Sequence, residues 1–148
     1  MTEYSADAFW QFSITHYERP AVKETCLALQ DDAGADVNLL LLAVWLETLD
    51  RRIPMELAKK LNSTSERWQV ETIGPLRERR RQKPKSSPDY HTCLREELEA
   101  EKREQVALVE CLNSYSDMGS RALSLWDLYS DQIRATPKQK GALTGALN

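Results

Sequence analysis

Asp36-Val37-Asn38-Leu39-Leu40-Leu41-Leu42-Ala43-Val44-Trp45-Leu46 is the stretch on which the fold turns. Its unbroken apolar run, residues 39–46, is far shorter than the ~20 residues needed to cross a bilayer. With no polar face it cannot lie on a surface, so residues 37–49 read as a helix at the centre of a bundle, with Asp36 as N-cap. Asn38 is the exception inside that run, because an amide near a helix start is unfavourable unless it is bonded. It is expected to bond the Gln30-Asp31 turn and set the angle to the preceding helix, a structural role rather than a ligand contact.

Upstream, Ser5 and Asp7 mark the start of a helix to about Tyr17, with Phe9, Phe12 and His16 at spacings of three and four. Pro20 fits the first position of a second helix, which carries Val22, Cys26 and Leu29 and ends at Gly34. Downstream, Asp50-Arg51-Arg52 is a polar break, and Pro54 opens a short helix with Met55, Leu57 and Leu61. Asn62-Ser63-Thr64-Ser65 reads as the cap of a fifth helix bearing Trp68, Val70 and Ile73, which Gly74-Pro75 should kink or break. Residues 83–88 are the clearest loop. Pro88-Asp89 then begins the longest helix, to about Asn113, with Tyr90, Leu94, Leu98, Gln105, Leu108 and Leu112 as its expected inward stripe. A last helix is expected from Asp117 or Ser120 to Ile133, with Leu123, Trp126, Tyr129 and Ile133 facing inward. The fold class is therefore all-α: an irregular bundle of about six or seven helices, in one helical domain, 1–134, with a flexible C-terminal tail, 135–148.

Composition agrees. A chain of 148 residues fits a single domain, and 41% hydrophobic with 29% charged residues is too apolar for intrinsic disorder. Five glycines and six prolines are too few for the turns of a β-sandwich. Three widely spaced cysteines, Cys26, Cys93 and Cys111, form no CxxC pair, which predicts reduced thiols and neither a zinc cluster nor a disulfide framework. The polar, acidic start has no signal-peptide pattern, and a cytoplasmic location is expected.

Phe9-Trp10-Gln11-Phe12-Ser13, Cys26-Leu27-Ala28-Leu29-Gln30-Asp31, Gly34 and Asp36-Val37-Asn38-Leu39-Leu40-Leu41 resemble an uncharacterised proteobacterial domain-of-unknown-function family. Trp68, Pro75-Leu76-Arg77 and Arg79-Arg80-Arg81 resemble its second half. The likeness covers roughly residues 8 to 110 and implies a short, single-domain, cytosolic helical protein; it implies no activity.

Three constellations carry possible chemistry. Asp31, Asp32 and Asp36 have the spacing of a metal-diphosphate motif. Gly34 should end a helix between them, however, so capping is the favoured reading, with no metal or cofactor. The basic run Arg77, Arg79, Arg80, Arg81, Lys83 and Lys85, opposed only by Glu78, is the second. Arginine forks suit carboxylate or phosphate partners. The following helix carries Glu96, Glu97, Glu99, Glu101 and Glu104 and should run antiparallel, so the charges could instead be answered within the chain. Phe9, Trp10 and Phe12 span about 300° of the first helix, so one of them should face outward and could mark a partner groove, unless another helix covers it. No nucleophile elbow, phosphate loop or glycine-rich fingerprint is present. The expected function is a non-enzymatic interaction or regulatory module contacting another protein through Arg77, Arg79, Arg80 and Arg81, with Arg51 and Arg52 as additions. Nucleic-acid or anion binding through the same patch is the alternative, and a small metal-diphosphate enzyme using Asp31 and Asp36 comes third. No membrane contact is expected.

Overall fold

The computed structural model describes residues 3–115 and 122–145. Ser5 caps α1 (Ala6–Tyr17) by accepting from the N–H of Ala8. Pro20 opens α2 (Pro20–Ala33), which closes on Gly34 at φ 66°, a left-handed conformation that glycine adopts without a Cβ penalty. Asp36 caps α3 (Val37–Thr48) through the Asn38 N–H. Every residue from Asn38 to Leu46 is buried, and α3 packs against α1, α2, α4, α6 and α7. Its central place follows from an apolar surface that extends all round. The Trp45 ring stacks on Phe9, centroids 5.2 Å apart, and meets Tyr4 edge-on at 5.9 Å.

Beyond the polar break, Ile53–Pro54 (β1) pairs antiparallel with Ala122–Leu123 (β2), a two-residue ladder and the only strand pairing among the described residues. Helix α4 (Met55–Trp68) runs straight through the cluster expected to cap a new helix. The reason is where those side chains bond. Ser65 donates to Asp36 Oδ2 at 2.5 Å and Asn62 accepts from Gln132, so neither competes with its own backbone. Nor does Gly74-Pro75 break the helix. A π-turn, Gln69–Ile73, joins α4 directly to α5 (Gly74–Arg81). One residue added to a turn rotates everything beyond it by about 100°, and this rotation helps set which way the arginines of α5 face.

The loop at 83–88 is present, and Ser87 caps the 26-residue α6 (Pro88–Asn113). Its buried face keeps Gln105, Leu108 and Leu112 of the expected stripe but not Leu94 and Leu98, which are exposed; Cys93, Glu97, Ala100, Glu104 and Val109 point inward as well. Glutamates take core positions because each finds partners there, as described below. Helix α7 (Leu125–Gln132) starts later than expected, capped by Ser124, with Leu123 in β2; the earlier start at Asp117 or Ser120 lies outside the described residues. The stretch expected to fray contains α8 (Pro137–Thr144), opened by a capping box between Thr136 and Gln139. It packs on α2, Leu143 is fully buried, and His16 Nε2 donates to the Leu143 carbonyl at 2.7 Å. Among the described residues, no helix is long and apolar enough to cross a membrane.

Gly74 gives a test of the π-turn. A Cβ there would sit 2.5 Å from the Gln69 carbonyl oxygen. Glycine to alanine inside a helix ordinarily stabilises by ~1 kcal/mol; Gly74→Ala is expected to do the reverse, lowering stability by roughly 1–3 kcal/mol as the turn is forced to shift. Chemical denaturation measures the sign.

Candidate ligand-binding cleft

The side of the bundle where α1, α2, α3, the π-turn, α5 and α6 converge is open, forming a cleft of about 430 Å³. Its position follows from the N-terminal end of α3. Gly34 turns the chain there, and Asp36, Val37, Asn38 and Leu41 form one wall. Helix α1 contributes Trp10, Ser13, Ile14 and Tyr17, α2 contributes Leu27 and Gln30, and the π-turn contributes Gln69. Arg77 and Arg80 of α5 and Glu97, Leu98, Glu101 and Gln105 of α6 complete it. Ile14, Leu27 and Leu98 are among the large apolar side chains the fold leaves exposed, and all three stand around this one opening.

The floor is a hydrogen-bond network that joins α3 to α6. Asn38 Nδ2 donates to the Glu101 carbonyl at 3.0 Å and to Glu104 Oε1 at 2.8 Å. Because a carbonyl can only accept, the Asn38 amide has one orientation, and its Oδ1 accepts from Gln105 Nε2 at 3.0 Å. The same Gln105 nitrogen reaches Ser13 Oγ, 3.0 Å away, while Ser13 donates to the Phe9 carbonyl. Gln69 adds a 3.3 Å bond to Glu104 Oε1. Gln105 Oε1 and Glu104 Oε2, both buried, have no donor among the described residues. Asn38 thus reaches forward to α6, not back to the Gln30-Asp31 turn as expected.

Glu104 lies within hydrogen-bonding reach of Asp36. Burial, then the hydrogen bond and charge of Asp36, push its carboxyl far above its ordinary value of 4.5. Glu104 is therefore held as a neutral acid at pH 7. Asp36 itself accepts from the Asn38 N–H and from Ser65, and its own N–H donates to the Tyr129 hydroxyl at 2.9 Å. Glu101 is pushed up to about 7, by burial first and then by the Glu97 charge, with Arg77 pulling the other way. Burial also lifts the Tyr17 phenol to about 12. A smaller polar hollow of about 380 Å³ lies across Asp36 and Gln69, beside Ser65, Tyr129 and Gln132.

The arginines stand as follows. Glu97, buried, accepts from Arg80 Nε at 2.6 Å and from Arg77 Nε at 3.4 Å. Arg79 pairs with Glu96, and Arg81 reaches Asp31 at 3.5 Å. Arg77 and Arg80 keep 15% and 19% of their side-chain surface in water, against 50% and 52% for Arg79 and Arg81. The charge pairing set out above as the counterpart of an outward patch is thus the observed geometry, and Arg77 and Arg80 wall the cleft. Arg51 and Arg52 are exposed at the far end of α3, roughly 18 Å along its axis from Asn38, and do not join this group. Asp31 and Asp36 part company: one is on the surface against Arg81, the other is a buried cap. Trp10 is half-buried along the cleft, with the Lys102 ammonium 5.5 Å from its ring, whereas Phe12 stacks on His16. Among the described residues, no group of three His, Cys, Asp or Glu side chains is arranged to hold a metal.

Glu97, Glu101, Glu104 and Gln105 are among the residues that sequence reasoning missed as site residues, together with Ser13, Tyr17 and Gln69. A signal existed: Glu97, Glu101, Glu104 and Gln105 share one helical face by spacing alone.

The fold and cleft define a small helical domain with a mixed polar and apolar recess in its side. Residues 8–108 match the family described as a protein of unknown function, DUF2390, and the chain belongs to that family. The matched span contains every residue that lines the larger cleft. No curated protein and no solved structure matches the chain.

The network makes a signed prediction. Because the folded Glu104 holds its proton far above 4.5, the stability it confers is full below about pH 4.5 and is lost as pH rises toward the folded value. Glutamine imitates the protonated acid at every pH. Glu104→Gln should therefore match the wild type near about pH 4.5 and gain on it by up to ~1.4 kcal/mol per pH unit above. Asn38→Ala, which removes three hydrogen bonds to α6, should cost about 3 kcal/mol. Denaturant titrations at several pH values check both.

Proposed function

We propose that this domain is a non-enzymatic binding module, regulatory in use, whose ligand seat is the cleft between α1, α2, α3, α5 and α6. One observation carries it: Ile14, Leu27 and Leu98, left exposed by the fold, gather at one mouth above a buried polar floor. Apolar walls with a few convergent polar groups are the usual make-up of a small-molecule site, and about 430 Å³ lies within the customary range of roughly 300–1,000 Å³.

In this reading the arginine segment is the wall of the seat. Its outer edge, Arg79 and Arg81, is the part that could touch a protein partner, since half of each side chain meets water. Nucleic-acid binding is less favoured, because phosphates would have to displace Glu96, Glu97 and Asp31 from the same guanidinium groups. We place the protein in the bacterial cytosol, where the free thiols of Cys26, Cys93 and Cys111 would stay reduced.

Titration of hexan-1-ol into methyl-labelled protein tests the cleft. Saturable shifts of the Ile14, Leu27 and Leu98 methyl signals, with a change in Trp10 emission and silence at Leu49, are the expected result. Equal drift of all exposed methyl groups without saturation would contradict a seat here.

A further inference from the structure

We infer that the cleft takes an organic cation, a protonated primary amine on an apolar body, with the Glu101 carboxylate as counter-charge and Gln105 Oε1 as a neutral acceptor. This rests on the cleft being the ligand seat. The polar atoms of the floor determine the class. Its amide and hydroxyl donors are already engaged: both functions of Asn38 are bonded, Gln105 Nε2 is shared between Ser13 and Asn38, and Ser13 donates to Phe9. The buried atom on the cleft that lacks a partner is an acceptor. Gln105 is 2% exposed, lines the cleft, and has an Oε1 with no donor among the described residues. The Glu101 carboxyl lines the same floor, within hydrogen-bonding reach of the Glu97 carboxyl. A buried acceptor without a donor is costly, and a ligand bringing N–H groups relieves that cost.

Charge points the same way. The acidic side chains of Asp36, Glu97 and Glu101 line the cleft with Arg77 and Arg80, three acids against two guanidinium groups. Glu97 accepts from both arginines, so the unanswered negative charge falls on the Asp36–Glu101 side. An anion entering there would meet carboxylates; an ammonium would complete the balance. The apolar body would lie between Ile14, Leu27 and Leu98 at the mouth.

Glu101 also makes capture depend on pH. It faces Tyr17 from α1, Asp36 from α3, Arg77 from α5 and Glu97 from its own helix. With its carboxyl at about 7, it is largely ionised at about pH 8 and largely protonated at about pH 6.

Three probes with one alkyl chain separate the outcomes: hexylamine, hexan-1-ol and hexanoate, titrated by methyl NMR at pH 8 and pH 6. Hexylammonium is expected to bind roughly tenfold more tightly than hexan-1-ol at the higher pH, the scale of one charge-assisted hydrogen bond. Hexanoate should be the weakest. The preference should shrink at the lower pH and vanish in Glu101→Gln, which should still bind hexan-1-ol and so report a folded cleft. Because the pH comparison uses the wild-type chain, it stands even if that variant folds poorly. Hexan-1-ol binding with no gain for hexylammonium, or tighter binding of hexanoate, overturns the cation assignment and leaves the cleft intact. Saturable shifts from none of the three overturns the cleft reading and this one together.

Discussion

The contact on which the structure depends is Asn38 reaching across to α6. It is the one polar residue in the buried run Asn38–Leu46 of the central helix, and it bonds the Glu101 carbonyl, Glu104 and Gln105 together. A hydrocarbon side chain there would remove three hydrogen bonds to α6, so the register between the two helices is fixed by hydrogen bonding as well as by packing. Neutral Glu104 is what makes the arrangement tolerable. An ionised carboxylate in that place would stand beside Asp36 with no cation to answer it.

From that contact the rest of the site follows. Once α6 is anchored by Glu104 and Gln105, its next inward positions toward the N-terminus are Glu101 and Glu97. Glu97 can be buried because the antiparallel α5 brings Arg77 and Arg80 to it, and the π-turn at Gln69–Ile73 helps turn that face of α5 inward. Leu94 and Leu98, displaced from the core by this choice, come to the surface, and Leu98 joins Ile14 and Leu27 at the mouth of the cleft. Exposed apolar rim and buried polar floor are two consequences of one helix rotation.

Much of the architecture was legible in the residues. Ser5, Pro20, Gly34, Asp36 and the loop before Pro88 act locally, on their own backbone, so α1, α2, α3 and α6 could be bounded from sequence. The apolar run of α3 announced the core, and the likeness to an uncharacterised family held over nearly the span expected. What could not be read depends on distant partners. Ser65 and Asn62 look like cap residues until Asp36 and Gln132 are known to face them. The tail looks small and polar, yet Leu143 and a carbonyl within reach of His16 are enough to dock α8 on the bundle. The inward stripe of α6 was read correctly at Gln105, Leu108 and Leu112 and misassigned at Leu94 and Leu98, because hydrophobicity ranks Leu98 above Glu97; pairing with two arginines reverses that order. The arginines themselves were recognised as a group, and their partners as the glutamates of the next helix, but their place beside a cleft required the fold.

The neutrality of Glu104 can be observed directly. Infrared difference spectra of the wild type against Glu104→Gln, at a pH where ordinary carboxyl groups are ionised, isolate that one side chain. The account predicts a protonated-acid C=O stretch that is present in the wild type and missing from the variant. A difference spectrum containing only carboxylate bands would mean that Glu104 is charged, and the network joining α3 to α6 would need another explanation.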